Sequence, residues 1–145
     1  MNQNLRFIDN ISSIKKSDFD ELTQSLESPF LNYDFLHALE VSKCVTSDNG
    51  WQPMHLASIK NKKLNGYIPL YLKDNSYGEF VFDYSWSYAF NRAGRNYYPK
   101  LLSAIPFTPC ESKKIIGDQV YESLINEVID FMNTENIETW HILFP

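Results

Sequence analysis

A chain of 145 residues, 43% of them hydrophobic and 21% charged, has the length and balance of one globular domain with a real core. The net charge is -5, and no basic run exceeds the pairs Lys62-Lys63 and Lys113-Lys114. Duplex-binding proteins need a basic stripe to neutralise phosphates, so direct duplex nucleic-acid binding is not expected.

Two cysteines, Cys44 and Cys110, stand far apart and in no CxxC or Cys/His spacing, which argues against a zinc site or a disulfide framework. No metal site is expected. The stretch Met1 to Asp9 has neither a basic n-region nor an apolar h-region, and no apolar run nears the roughly 20 residues that span a bilayer. The expectation is a cytoplasmic, soluble chain with no membrane span.

In chain order, Leu5 to Ile8 opens as a short strand. Ser17, with Asp20 three residues on, suits a helix start resembling a capping box, and Phe19, Leu22 and Leu26 follow at helical spacing. Ser28 with Pro29 is a second start signal, for a helix whose face holds Leu31, Phe35, Ala38 and Leu39. A polar turn at Thr46 to Gly50 leads into a strand over Trp51 to Lys60. Asn61 to Gly66 has hairpin composition, and Tyr67 to Lys73 returns as a strand that Pro69 kinks or places at an edge.

The aromatic share is 15%, and the rings cluster. Phe80, Phe82, Tyr84, Trp86, Tyr88 and Phe90 occupy alternate positions, the period of a strand. Eleven residues are long for one strand, while Trp86, Phe90 and Ala93 also fit a helix stopped by Gly94. The expectation is a strand over Glu79 to Asp83 and a short helix over Ser85 to Ala93. Ser103 to Thr108 reads as a buried strand. Asp118 caps the clearest helix, with the stripe Val120, Leu124, Ile125, Val128, Phe131 and Met132, and Thr139 to Phe144 is a last strand. This order, with an antiparallel hairpin in its middle, predicts an α+β (mixed α/β) fold.

Several segments together resemble one family. They are Ser28-Pro29-Phe30-Leu31, Gly50-Trp51-Gln52-Pro53, Pro69-Leu70-Tyr71-Leu72-Lys73, Ser76 to Asp83, Tyr97 to Pro109, and His141-Ile142-Leu143-Phe144-Pro145. In this order they resemble the FemAB-like branch of the GNAT N-acyltransferases, the peptidoglycan biosynthesis/recognition proteins. The resemblance implies a GNAT-like acyl-CoA N-acyltransferase fold. In it, the strands on either side of the long helix splay apart to admit the acyl donor, whose phosphates rest on that helix's N-terminus. Members of the family are longer, so the resemblance further implies the N-terminal half of a two-half architecture, incomplete at the C-terminus, with pairing to a second half or a dimer.

Candidate site residues follow. Glu79 and Asp83, four apart, share a face of the expected strand and are the candidate catalytic carboxylates, able to accept a proton from an attacking amine; structural or surface roles compete. Tyr77, Tyr84, Trp86, Tyr88, Tyr97 and Tyr98 offer stacking faces and hydroxyls to an acceptor, against core packing. Arg92, Arg95 and Lys100 are the cations nearest them, suited to substrate anions or to solvent. Lys113, Lys114 and Gly117 occupy the loop where the resemblance places donor phosphates, although the loop lacks the usual spaced glycines. His37, His55 and His141 are isolated, and no nucleophilic triad is evident.

The resemblance thus implies transfer of an acyl or aminoacyl group, from acyl-CoA or aminoacyl-tRNA, to the amine of a small-molecule or peptide-like acceptor, with a link to cell-wall precursors. The alternative is a non-catalytic remnant, or a module that recognises peptide or glycan through its aromatic surface.

Overall fold

The computed structural model describes residues 3–145, so the first two positions of the stretch read for a targeting signal lie outside it. Strand β1 (Gln3–Ile8) lies antiparallel to β3 (His55–Lys60), with Phe7 opposite Leu56. β3 turns directly into β4 (Lys63–Ile68) through Asn61 and Lys62, at φ 52° and 66°. Left-handed backbone at both central residues is what a two-residue hairpin turn demands, because its twist then matches that of the strands.

The chain next builds a second sheet in the order β2 (Gln52–Pro53), β5 (Tyr71–Lys73), β6 (Lys100–Ser103) and β7 (Trp140–Ile142). β6 and β7 run parallel and the other pairs antiparallel. Only Met54 separates β2 from β3, and only Pro69 and Leu70 separate β4 from β5. A Met54 N–H to Leu70 carbonyl bond (2.9 Å) carries the ladder across that junction. Proline, which has no N–H to donate, falls in the gap between strands.

Among the described residues, four α-helices accompany the sheets. α1 (Lys16–Thr23) buries Phe19, and α2 (Tyr33–Val41) buries Leu36. Asn32 caps α2 by accepting the Phe35 N–H at 2.9 Å, whereas the expected caps Ser17 and Ser28 do not begin these helices. α3 (Tyr84–Arg92), close to its predicted span, buries no residue. α4 (Tyr121–Glu135) lays Leu124 and Val128 on Leu56, Ile68, Leu70 and Leu101, forming one of the apolar cores against the sheets. A 3-10 turn over Asp118–Val120 precedes it, set up by Gly117 at φ 110°. A Cβ on Gly117 would fall 2.5 Å from the Asn65 carbonyl oxygen, so glycine is required there.

Four expected strands differ. Trp51 to Lys60 divides at Met54 into β2 and β3. Tyr67 to Lys73 divides at Pro69-Leu70 into β5 and a β4 that begins at Lys63, so the expected Asn61 to Gly66 connection shrinks to Asn61 and Lys62. The one placed at Ser103 to Thr108 lies upstream, at Lys100–Ser103, because the chain turns at Pro106 and Phe107 (φ 57°). Glu79 to Asp83 pairs with no strand, and Phe80 takes φ 58°. The rings there do not share a strand face. The fold is nonetheless the predicted mixture of helices and sheet, and β6, α4 and β7 form the expected strand–helix–strand unit.

Candidate active site

Leu101 of β6 faces the α4 core, so Lys100 and Leu102 point to the opposite side of the sheet. Lys73 stands directly across from Lys100 in the β5–β6 register, and both side chains are fully buried. Two like charges opposed across strands, out of water, are unfavourable unless counter-charges reach them. The segment between β5 and β6 supplies those counter-charges by folding over this face.

Lys100 Nζ donates to Glu79 Oε2 (2.8 Å), Asp83 Oδ2 (2.7 Å) and Ser76 Oγ (2.8 Å). Its three N–H groups are therefore all used. Lys73 Nζ donates to the Tyr77 carbonyl (3.1 Å), stands 3.9 Å from Glu79 Oε1 and lies 3.7 Å from the centre of the Trp51 ring. Asp83 Oδ2 also accepts from Ser76 Oγ (2.8 Å) and from the Tyr97 hydroxyl (2.7 Å). Ser76 spends its proton on Asp83, so Tyr98 OH, 2.7 Å away, is the donor to Ser76. Glu79 Oε1 and Asp83 Oδ1 are buried with no hydrogen-bond partner among the described residues.

These surroundings push the groups apart. Burial would raise Asp83, but the bonds from Lys100, Tyr97 and Ser76 outweigh it and hold the carboxyl at about 2. Burial wins at Glu79, which is raised despite Lys100 and Lys73. Burial lowers Lys73 to about 8 against the attraction of Glu79. The Tyr97 hydroxyl is raised by burial and by its bond to Asp83.

Above this cluster opens a hollow of about 360 Å³, lined by Asn75, Ser76, Tyr77, Tyr84, Ser87, Tyr88, Asn91 and Tyr98. Every lining residue is uncharged at neutral pH. Ser76 and Tyr98 belong to both hollow and cluster, and so connect them. Glu79, Asp83, Lys100, Tyr97 and Tyr98 of the sequence candidates thus meet in one cluster, with Tyr77, Tyr84 and Tyr88 above it.

Other candidates lie apart from it. Trp86 is exposed and does not line the hollow. Arg92 lies over the Tyr88 ring at 5.8 Å, while Arg95 pairs with Glu138 (2.5 Å). Lys113 is exposed, 3.6 Å from Asp118. Lys114 turns inward, giving its ammonium to the Phe144 and Ser112 carbonyls and to Ser112 Oγ, each at 2.8 Å. Gly117 packs on Asn65 and Gly66. The strands flanking α4 remain paired from Leu101–Trp140 to Ser103–Ile142, and Leu143 N–H still reaches the Ser103 carbonyl.

Three members of the cluster were not among the sequence candidates: Lys73, Ser76 and His141. All three sit in the segments that carry the family resemblance, but nothing local marks Lys73 as buried or Ser76 as its neighbour in a charged cluster. His141 Nε2 comes within 3.3 Å of the Tyr97 hydroxyl through a contact 44 residues apart. Ligand atoms of Glu79, Asp83 and His141 lie within 4.8 Å of one another, a spacing open to a metal ion, although Lys100 already bonds both carboxylates.

A family model for FemAB-like proteins, described as peptidoglycan biosynthesis/recognition, matches residues 10–145. The chain belongs to the FemAB-like family. Among solved structures, the FemAB-like chain is similar to a ribosomal-protein-alanine N-acetyltransferase from Brucella melitensis biovar Abortus 2308. The identity is 10% and the TM-score 0.52, over 100% of this chain and 82% of that one. At that identity the likeness speaks to the fold, which is the expected GNAT-like one. No curated protein sequence matches. Among the described residues, no helix is long and apolar enough to cross a membrane.

Proposed function

We propose that this FemAB-like chain carries an N-acyltransferase-type site, transferring an acyl or aminoacyl group to an amine acceptor held in the tyrosine-lined hollow. The observation that supports it is the burial of two lysines and two carboxylates under an open, neutral hollow, with two carboxylate oxygens left without hydrogen-bond partners among the described residues. Such an arrangement is costly to fold, and strongly perturbed groups concentrate where chemistry is done. Family and fold point to the same class of reaction.

In that reaction the amine nitrogen attacks the acyl carbonyl carbon, a C–N bond forms, and the bond to the donor's leaving atom breaks. One proton leaves the amine and the leaving group takes one up. Asp83, held at about 2, stays ionised and orders Ser76, Tyr97 and Lys100 around it. Glu79, with its raised pKa, is the carboxylate nearer to protonation at neutral pH. Tyr77, Tyr84 and Tyr88 offer the acceptor stacking faces and hydroxyls. Of the three loop residues, Lys113 is the exposed cation that could turn from Asp118 to donor phosphates, and Asp118 and Glu122 in the following turns oppose them. The donor is acyl-CoA or aminoacyl-tRNA, and a cell-wall precursor is the acceptor that the family suggests.

The exposure of Tyr77, Tyr84 and Tyr88 also suits the second reading, a module that binds peptide or glycan without reacting. Thermal melting with saturating acyl-CoA, followed by a thiol-release assay over a panel of amines, separates the two. The enzyme reading expects a raised Tm and amine-dependent thiol release. A folded chain with neither effect contradicts it.

A further inference from the structure

The hydrogen bonds around Asp83 determine the proton positions on a histidine that sequence alone left isolated. Asp83 is ionised and has no proton to give, so the 2.7 Å bond from Tyr97 requires the tyrosine to donate. Tyr97 has one hydroxyl proton and has spent it. Toward His141 Nε2, 3.3 Å away, its oxygen acts only as an acceptor. Nε2 must therefore carry the ring proton, which leaves Nδ1 with a free lone pair.

Position reinforces the point. His141 sits opposite Leu102 on β7, the edge strand of its sheet, on the same side as Lys100. Its ring is partly exposed, whereas Glu79, Asp83, Lys73 and Lys100 are buried. Beside the four charged groups of the cluster it is the member that reaches the surface, next to the hollow's wall rather than in its lining. Burial lowers its pKa, Lys100 of β6 lowers it further, and Asp83 of the β5–β6 segment opposes them, so the ring is neutral at pH 7.

We infer that His141 is the proton acceptor of the site, taking the amine's proton on Nδ1 while Asp83 and Tyr97 hold its Nε2–H tautomer. The assignment rests on the acyl-transfer reading for the identity of the proton donor. The amine N–H bond breaks as the C–N bond forms, and the proton passes to Nδ1, making imidazolium. That ion returns the proton to the leaving group or to water. Asp83 and Tyr97 are positioning residues, acting through the ring.

Nitrogen–proton correlation spectra of the histidine-labelled chain at pH 7, with no donor added, test the tautomer directly. The expected result is a pyridine-type signal from Nδ1 and a pyrrole-type signal from Nε2 of His141. Tyr97→Phe, which keeps the ring but removes the hydroxyl, should give a mixture of tautomers. An Nδ1–H tautomer, or a charged ring at pH 7, overturns the inference.

With acetyl-CoA and the amine panel, His141→Gln should lower kcat on the order of 100-fold with KM for acetyl-CoA unchanged, and should remove the acid limb of the kcat–pH profile. Tyr97→Phe should lower kcat by less and shift that limb. Unchanged kcat in a folded His141→Gln protein overturns the proposed role. A wild-type chain that turns over no donor overturns the acyl-transfer reading and the role with it, while the spectra still decide the tautomer.

Discussion

A buried polar cluster stands on each of the two sheets, and they are finished to different degrees. In the first, His55 Nδ1 accepts the Leu70 N–H (3.3 Å), and Nε2 gives its proton to Glu40 Oε1 (3.0 Å). Glu40 also accepts the Ile11 N–H, at 2.9 Å through Oε2 and 3.2 Å through Oε1. Both imidazole nitrogens and both carboxylate oxygens are satisfied, and the bonds tie α2 to the turn after β1 and to the β4–β5 junction. The second cluster holds more charge, leaves Glu79 Oε1 and Asp83 Oδ1 without hydrogen-bond partners among the described residues, and opens through Ser76 and Tyr98 into a hollow. A fully paired network serves folding. One that retains unpaired oxygens under an open hollow keeps capacity for a ligand or a proton.

The contrast can be broken most forcefully at Lys100. Lys100→Met removes the cation that joins Glu79 and Asp83 and leaves both carboxylates buried without it, so unfolding in denaturant should show a loss of about 3–5 kcal/mol. A loss below about 1 kcal/mol would mean that the cluster is solvated and the contrast false. In the other cluster, Glu40→Gln keeps the shape but not the charge, and should cost about 1–3 kcal/mol with acyl transfer unaffected once folded. A transfer rate that falls with Glu40→Gln would erase the distinction between the two regions.

Acid titration sharpens the comparison further. Asp83 is held at about 2 in the folded chain, below its ordinary 3.8, so its contribution is present above about pH 4 and disappears as pH falls through about 2. At about 1.4 kcal/mol per pH unit this amounts to about 2 kcal/mol. Asp83→Asn should remove that part of the stability–pH curve, whatever its cost at neutral pH. The smallest expected change in stability is at the hollow. Tyr84→Ala and Tyr88→Ala truncate exposed rings on a helix that buries nothing, and should shift stability by no more than about 0.5 kcal/mol.

Legibility in the sequence followed the range of the interactions. α4 was readable because Leu124 and Val128 recur at helical spacing and face a single core. α3 was readable as a helix because the long aromatic alternation exceeds a strand, although the same alternation suggested a strand at Glu79 to Asp83 that has no partner. Glu79 and Asp83 were singled out for sharing a strand face. They do point to one place, but a loop brings them there, toward Lys100.

The lysines were harder. On a strand, Lys73 and Lys100 look like solvent-facing charges. Their burial depends on the 26 intervening residues folding across the sheet, which no local pattern encodes. His141 depended on the parallel pairing of β6 with β7, a contact that exists only after α4 has crossed back. In the same way, Lys114 in the loop before α4 reads as a free cation, yet carbonyls from Ser112 and Phe144 draw it inward.

The central claim is that the hollow above the charged cluster is where the acceptor binds for acyl transfer. The most direct measurement is the rate of amine-dependent thiol release from acyl-CoA by the wild-type chain and by the Tyr84→Ala, Tyr88→Ala double variant, with Tm recorded for both. The account predicts turnover by the wild type and a loss on the order of tenfold or more in kcat/KM for the variant at unchanged Tm. Equal rates in the two proteins, or no turnover by a folded wild type with any acyl donor, would contradict it.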